Sequence, residues 1–450
     1  MKSYLLDEVT KIENKISFGM PGHKGKQFFD LDTKKDVTEI LDTDNLLNPR
    51  GAILKLENQI RDIYGSKESF LIINGSTGAL HTAISIATNK GDNVLVQRQC
   101  HKSVYNALIL NELNPVYLET VYDKNQALFF GITEEELREK IKGNNIKACV
   151  LTSPNFYGGI LKLKELIKIL HDNNITVIVD EAHGAHLYFM DLKKYSAIEA
   201  GADLVINSTH KTIPSFTQTA LLHLNSDKFT RREVMDHINL YHTTSPSYLL
   251  MLSIEAGIKY MEEIGRDEIL NRIEDLNKLK EEINYSINFE HETIAANDPL
   301  KFLFRVRGLK GEELLKKFLY DKDIRLEMAD LYYALAIISP INTSEEIKAL
   351  KNAIKELDSG SYEEIRPIEF ALPEKVMTPR EAFEGEMEII DFRDAEGRIS
   401  KNIVAAYPPG VPIISFGEVF SKDVIENIIE LKEAGIEVVG MENDTVEVIK

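Results

Sequence analysis

Short, almost uninterrupted apolar runs recur along this chain. SFLIING (69–75), NVLVQ (93–97), PVYLE (115–119), KACVLTS (147–153), ITVIVD (175–180), ADLVINS (202–208) and TALLHL (219–224) each read as a strand. Between most of them the apolar positions repeat every three to four residues. Helices are therefore predicted over 53–65 (a helical stretch beginning near Asn48), over 78–90 opening at Thr77, over 102–113 after His101, and over 134–142 and 162–172. This alternation predicts a mostly parallel sheet with helices on both faces and right-handed crossovers. Residues 1–40 read as an arm, because the glycines and proline of SFGMPGHKGKQFFD forbid a regular helix or central strand. A large domain over 41–285 ends in one long helix from Ser247. KFLFRVR, EELLKKFLYD, YYALAIIS and EEIKALKNAIKEL follow as a small α+β domain over 286–364. The clustered prolines of AAYPPGVP mark residues 365–450 as a third, less regular domain.

At 450 residues and 43% hydrophobic, the chain can bury a large core, and about three domains are expected at roughly 150 residues each. The net charge of −19 argues against nucleic acid and anionic lipid as partners. The amino terminus has no long apolar core and no run reaches about 18 apolar residues, so neither a signal peptide nor a membrane span is expected. Cys100 and Cys149 fit no zinc or CxxC spacing; with only two thiols, a reducing, cytoplasmic setting is expected.

The chemistry gathers at one predicted rim. ITVIVD ends in Asp180 and ADLVINS leads into Lys211, thirty-one positions later, so an acid and an amine meet at the carboxyl ends of two strands. That is the layout a pyridoxal phosphate (PLP) enzyme needs: a lysine for the aldehyde and an acid for the pyridine nitrogen. Asp180 also has the duller reading of an acid capping a strand and pairing with a cation. Glu181 should face away, since strand side chains alternate. In NGSTGALHTA, the turn at Gly75, Ser76 and Thr77 opens a helix and offers amides and hydroxyls to a phosphate, or simply caps the helix. His101 sits at another strand-to-helix turn on the same rim. VDEAH resembles an ATPase acidic box, but no GxxxxGK[ST] accompanies it. His183 and His186 in HGAH lack a third metal ligand, so no metal is expected.

Taken together, GMPGHKG (19–25), LIINGSTGAL (71–80), RQCHKSVYNALI (98–109), TSPNFYGG (152–159), VIVDEAHGAHLYF (177–189), GADLVINSTHKTIPSFTQTALLH (201–223), TTSPSY (243–248) and AAYPPGVPIISFGE (405–418) resemble the Orn/Lys/Arg decarboxylase family. The resemblance implies an α/β, aspartate-aminotransferase-like (fold type I) PLP domain, with small and C-terminal domains behind it. It is to the short bacterial form, without the receiver-like domain of the largest relatives. It implies PLP-dependent decarboxylation of arginine, lysine or ornithine by a homodimer, with arginine slightly favoured. Lys211 would hold PLP and Asp180 its ring nitrogen. His101 would stack on one face and Ala182 pack on the other. Ser76, Thr77, Ser208 and His210 would hold the phosphate, and His183 would lie near the phenolic oxygen. Thr244, Ser245 and Glu418 would be near the substrate, from this chain or from the other subunit of a dimer, with Glu418 facing its distal cation. The alternatives are a fold type I aminotransferase, which would need a carboxylate-binding arginine such as Arg305 or Arg307, and a non-catalytic homologue.

Overall fold

The computed structural model describes residues 9–30, 32–39, 43–283, 287, 289–365, 372–407 and 410–450. The start of the predicted arm, residues 366–371 between the last two domains, and Pro408 and Pro409 of AAYPPGVP lie outside the described residues.

Seven strands form the central sheet. In chain order they are β1 (Glu68–Ile72), β2 (Asn93–Gln97), β3 (Asn114–Leu118), β4 (Ile146–Thr152), β5 (Thr176–Asp180), β6 (Leu204–Asn207) and β7 (Ala220–Leu224). Their order across the sheet is β1-β7-β6-β5-β4-β2-β3. The neighbours from β6 to β3 are parallel, and β7 runs antiparallel to both β6 and β1. Alternate residues of a strand enter different cores: Val177 and Val179 belong to one apolar cluster and Ile178 to the other. Both faces are covered, which is why these strands read as unbroken apolar runs.

The helices that aim the rim are α1 (Ala52–Tyr64), α2 (Gly75–Ala87) and α3 (Lys102–Leu110). Helix α2 starts at Gly75 rather than Thr77, so Ser76 and Thr77 lie inside its first turn. Helix α4 (Arg231–Tyr241) did not stand out as an apolar stripe. It is held by a capping box between Thr230 and Glu233, a T-x-x-E signal that was legible in the sequence. The long helix expected from Ser247 is two helices, α5 (Tyr248–Tyr260) and α6 (Arg266–Glu282), joined through a wide π-turn at Met261–Gly265. A π-turn inserts a residue without breaking the apolar period enough to be seen in sequence.

The small antiparallel sheet has β8 (Lys301–Phe304) and β9 (Met328–Ala329) on either side of β10 (Ala334–Ile337). Its residues share one continuous core with the large sheet. The arm is tied to it: Ile16–Phe18 pairs in parallel with Ile324–Leu326, and Lys24 is buried, donating to the carbonyls of Gly19 (2.8 Å) and Ile337 (2.9 Å). The C-terminal region is more regular than its prolines predicted. It has its own apolar core, two small sheets and the twelve-residue helix Lys422–Glu433.

Candidate active site

Asp180 is the last residue of β5, in register with Thr152 of β4 and Ile206 of β6. After β6 the chain makes one helical turn, Thr209–Thr212, which carries Lys211 to the same rim. Both side chains line one cavity of about 130 Å³, together with His101, Ala182, His183 and Phe156. Asp180 is 4% exposed. Its Oδ1 accepts from the Ala182 N–H at 3.1 Å, and Oδ2 has no partner among the described residues. Burial lowers the pKa of Lys211, while Asp180 and Glu327 pull it back up. Glu181 faces away, as alternation predicts. It accepts from Tyr188 Oη (2.6 Å), Ala197 N (2.7 Å) and Asn207 Nδ2 (3.1 Å), and burial raises its pKa to about 7.

His183 stands between two lysines. Its Nε2 is 3.2 Å from Lys211 Nζ and its Nδ1 is 2.7 Å from Lys301 Nζ. Burial and the two neighbouring cations hold its pKa far below the usual histidine value, so the ring is neutral. Lys301, the first residue of β8, was not singled out from the sequence. Burial lowers it to about 8, against the pull of Asp298 and Glu327. Lys24 is buried nearby and lowered by burial to about 7. The available signal was a lysine at the head of an otherwise apolar strand, which snorkelling explains equally well. His186 pairs elsewhere: its Nε2 is 3.1 Å from Asp298 Oδ2, both side chains being 1% exposed. The two histidines of HGAH thus serve different partners.

His101 is the N-cap of α3. Its Nδ1 accepts from Ser103 N–H (3.3 Å), which leaves the ring on the cavity wall. Burial lowers its pKa, with Asp180 opposing. At the other end of the rim, Asn74 precedes α2 without making a side-chain cap, so it leaves the first-turn amides uncapped. Ser76 Oγ and Ser208 Oγ are hydrogen-bonded to each other. The Gly75 N–H is already given to the Gln218 carbonyl at 2.8 Å, so Gly75 contributes its backbone shape (φ 76°) rather than a free donor. His210 Nδ1 donates to the Thr219 carbonyl at 2.8 Å, and burial lowers its pKa to about 4.

A family model described as Orn/Lys/Arg decarboxylase, major domain, matches residues 5–301, and its C-terminal domain model matches residues 363–448. The chain belongs to the Orn/Lys/Arg decarboxylase family. It is an amino-acid decarboxylase for a basic amino acid. An arginine decarboxylase of Bacillus anthracis is 29% identical over 97% of this chain and 94% of that protein. The solved constitutive lysine decarboxylase of E. coli has the same fold at a TM-score of 0.81, with 20% identity over 93% of this chain and 75% of that one. A structure described as SPT with PLP shares the fold at a TM-score of 0.58, with 16% identity over 76% of this chain and 87% of that one.

In this decarboxylase three expected substrate residues stand away from the cavity. Glu418 is 0% exposed and is gripped by Arg98: Nη1 to Oε1 at 2.6 Å and Nη2 to Oε2 at 2.9 Å. The Ser415 N–H adds a third hydrogen bond at 2.7 Å. A carboxylate neutralised in this way has no charge left for a substrate cation, so Glu418 ties the C-terminal region to Arg98, just past the end of β2, instead. Thr244 and Ser245 are exposed on the loop before α5 and do not line this chain's cavity. Arg305 and Arg307 are committed elsewhere, to the Glu363 carbonyl and to Asp358. Among the described residues no arginine lines the cavity, so an aminotransferase-type clamp on the substrate carboxylate is missing there.

Proposed function

We propose that this chain holds PLP on Lys211 and decarboxylates arginine, working as a homodimer and yielding a precursor of polyamines. The observation that carries the reading is a buried carboxylate and a desolvated amine lining one small cavity. The donor set suits such a group. Asp180 keeps one carboxylate oxygen open for a pyridinium N–H, and an uncompensated acid there would be costly. Burial of Lys211 works against its ammonium form, and it is the free amine that attacks an aldehyde. His101 and Ala182 wall the cavity. Ser76, Thr77 and Ser208 gather at the positive end of α2, where a phosphate is favoured. His210 spends its Nδ1 proton on Thr219, so it donates to a phosphate through Nε2 only when protonated.

PLP, when bound, supplies the ring that accepts the electron pair released as the carboxylate leaves as CO2. Asp180 keeps a proton on the ring nitrogen, a preorganised interaction in a dry site worth several kcal/mol. Lys211 stands 3.2 Å from His183, and this pair would be the group that returns a proton to the substrate's α-carbon. The exposed Thr244–Ser245 loop suits a residue that serves the partner's cavity rather than its own. Arginine is favoured over lysine because the Bacillus arginine decarboxylase matches this chain almost end to end, whereas the chain covers 75% of the solved lysine enzyme.

The test is CO2 release from arginine, lysine and ornithine side by side, with K211A as the control. Arginine should lead by kcat/KM, and K211A should lose both turnover and the visible absorbance of bound PLP. Full turnover by K211A, or a keto acid as product, would overturn the reading.

A further inference from the structure

The turn that carries Lys211 is poorly held by its own backbone. Within Thr209–Thr212 the Lys211 N–H reaches the Ser208 carbonyl only at 3.4 Å, and a single helical turn has no cooperative neighbours to steady it. Its fixings come from the loop that follows, residues 213–219, just before β7. The hydroxyls of Thr209, Ser215 and Thr219 form a closed triangle with sides of 2.7, 2.8 and 2.9 Å, and all three residues are 0% exposed. The Thr219 hydroxyl also lies 2.6 Å from the Phe216 carbonyl. A carbonyl can only accept, so Thr219 spends its one hydrogen there, and both lone pairs of its oxygen are left for Thr209 and Ser215. The Thr219 carbonyl takes the Nδ1 proton of His210, and the neighbouring Gln218 carbonyl takes the Gly75 N–H from the first turn of α2. Gln218 is a non-glycine residue at φ 83° with its side chain exposed, so it is its backbone that has a task. Such a conformation persists where the surrounding contacts over-determine it. The loop is pinned from behind as well. The Phe216 N–H donates to Ser253 of α5 at 3.2 Å, and Gly257 lets α5 lie against the Pro214 carbonyl.

We propose that Thr219 is a positioning residue for the decarboxylation: its hydroxyl, fixed by the Phe216 carbonyl, holds the start of the turn so that the Lys211 amine is aimed at the cavity. Thr219 does not line the cavity itself. It acts through Thr209 and His210, the two residues before Lys211, gripping the first with its hydroxyl and the second with its carbonyl. At 0% exposure bulk water does not replace a lost partner, so the hydroxyl's removal is felt in full by the turn. Through Gln218 the same loop reaches Gly75, so the amine and the start of α2 are set in one frame. The inference rests on the reading that PLP is held on Lys211 and deepens it, by naming what fixes the aim of that amine.

The first arm of the test uses cofactor-free protein and hydrogen exchange followed by mass spectrometry. T219V keeps the shape of the side chain and removes its hydroxyl. Exchange across residues 209–214 should be about tenfold faster in T219V, the factor expected for losing about one buried hydrogen bond, and near wild type in T219S. Exchange in α3 should be unchanged in both. An unchanged turn in T219V overturns the proposal. So does faster exchange throughout the chain, which would make Thr219 a general support of the fold. The second arm uses loaded enzyme. T219V should lower kcat by about tenfold to a hundredfold, the scale of loss for a reacting group displaced by about 1 Å, with KM little changed. T219S should recover most of that loss. The share of bound PLP joined to Lys211, trapped with borohydride and located by peptide mapping, should fall in T219V and return in T219S. Wild-type kcat in T219V, or equal losses in T219V and T219S, overturns the proposal. If T219V fails to fold, S215A takes its place: it removes one corner of the triangle and should show the same losses on a smaller scale, and wild-type exchange and kcat in S215A overturn it. PLP trapped on a different lysine of the wild type, with exchange as stated, would sink the cofactor reading alone.

Discussion

The Glu418→Gln substitution isolates what the Arg98–Glu418 pair does. Arg98 is 4% exposed and Glu418 is 0% exposed, so neither charge has water to fall back on. The pairing with Glu418 holds the guanidinium firmly charged in spite of its burial. Two charge-assisted hydrogen bonds, at 2.6 and 2.9 Å, join them. Bonds of that kind are worth about 1.5–3 kcal/mol each. Glutamine keeps an oxygen for the Ser415 N–H but turns an amide donor toward the guanidinium, leaving a buried cation unpaired. Removing one partner of a buried pair costs about 3–5 kcal/mol, against a total of about 5–15 kcal/mol for a typical domain. The chain has no tryptophan, so unfolding is best followed by far-UV circular dichroism in urea, at fixed protein concentration because an oligomer's midpoint depends on it. The double variant R98M/E418Q should recover more than half the loss, since it removes the orphaned charge; the part not recovered includes the Ile413 carbonyl, which loses its 3.3 Å donor. Among molecules that remain folded, the arginine-to-lysine ratio of kcat/KM should be unchanged. A cost below about 1 kcal/mol, or a changed substrate ratio at full stability, would refute this account and return Glu418 to the substrate.

Two further expectations concern single positions. Glu181 has its folded pKa raised to about 7 by burial. For an acid raised in this way, the stabilisation is complete below the unfolded value and is lost as pH climbs through the folded one. Unfolding free energy should therefore fall by about 3 kcal/mol between roughly pH 4.5 and pH 8 on account of this group, and E181Q should flatten that slope in urea titrations; a parallel slope in E181Q would count against it. Gly22 lies directly on the turn that carries Lys211: its N–H donates to the His210 carbonyl at 2.6 Å, and an added Cβ would run into the Ile213 carbonyl. G22A should cost about 1–3 kcal/mol and weaken PLP binding, measured by thermal melting and absorbance titration. Wild-type values for both would mean the arm is not a brace for that turn.

Much of the large domain was legible because its information is local. Apolar runs mark strands that are covered on both faces, and acids or lysines at their ends mark the rim. Asp180, Lys211, His101, Ala182 and His183 share one cavity because each sits within a few residues of a strand end on that rim. Boundaries slipped where geometry overrode pattern: Gly75 could enter a helix two residues early, and the wide turn at Met261–Gly265 hid inside a helical period.

What the chain could not reveal by itself is which distant groups neutralise one another. Glu418 looked like an acid waiting for a substrate until Arg98, 320 positions away, was seen to hold both of its oxygens. Lys301 looked like the polar head of a strand until it met His183, 118 positions upstream. Local sequence sets which element a residue occupies, through backbone preference and the burial of neighbouring side chains. The pairing of buried charges depends on how the elements pack, because the energy of a carboxylate or an ammonium in a dry interior is decided by whatever stands within a few ångströms, and that neighbour is chosen only when the tertiary fold closes.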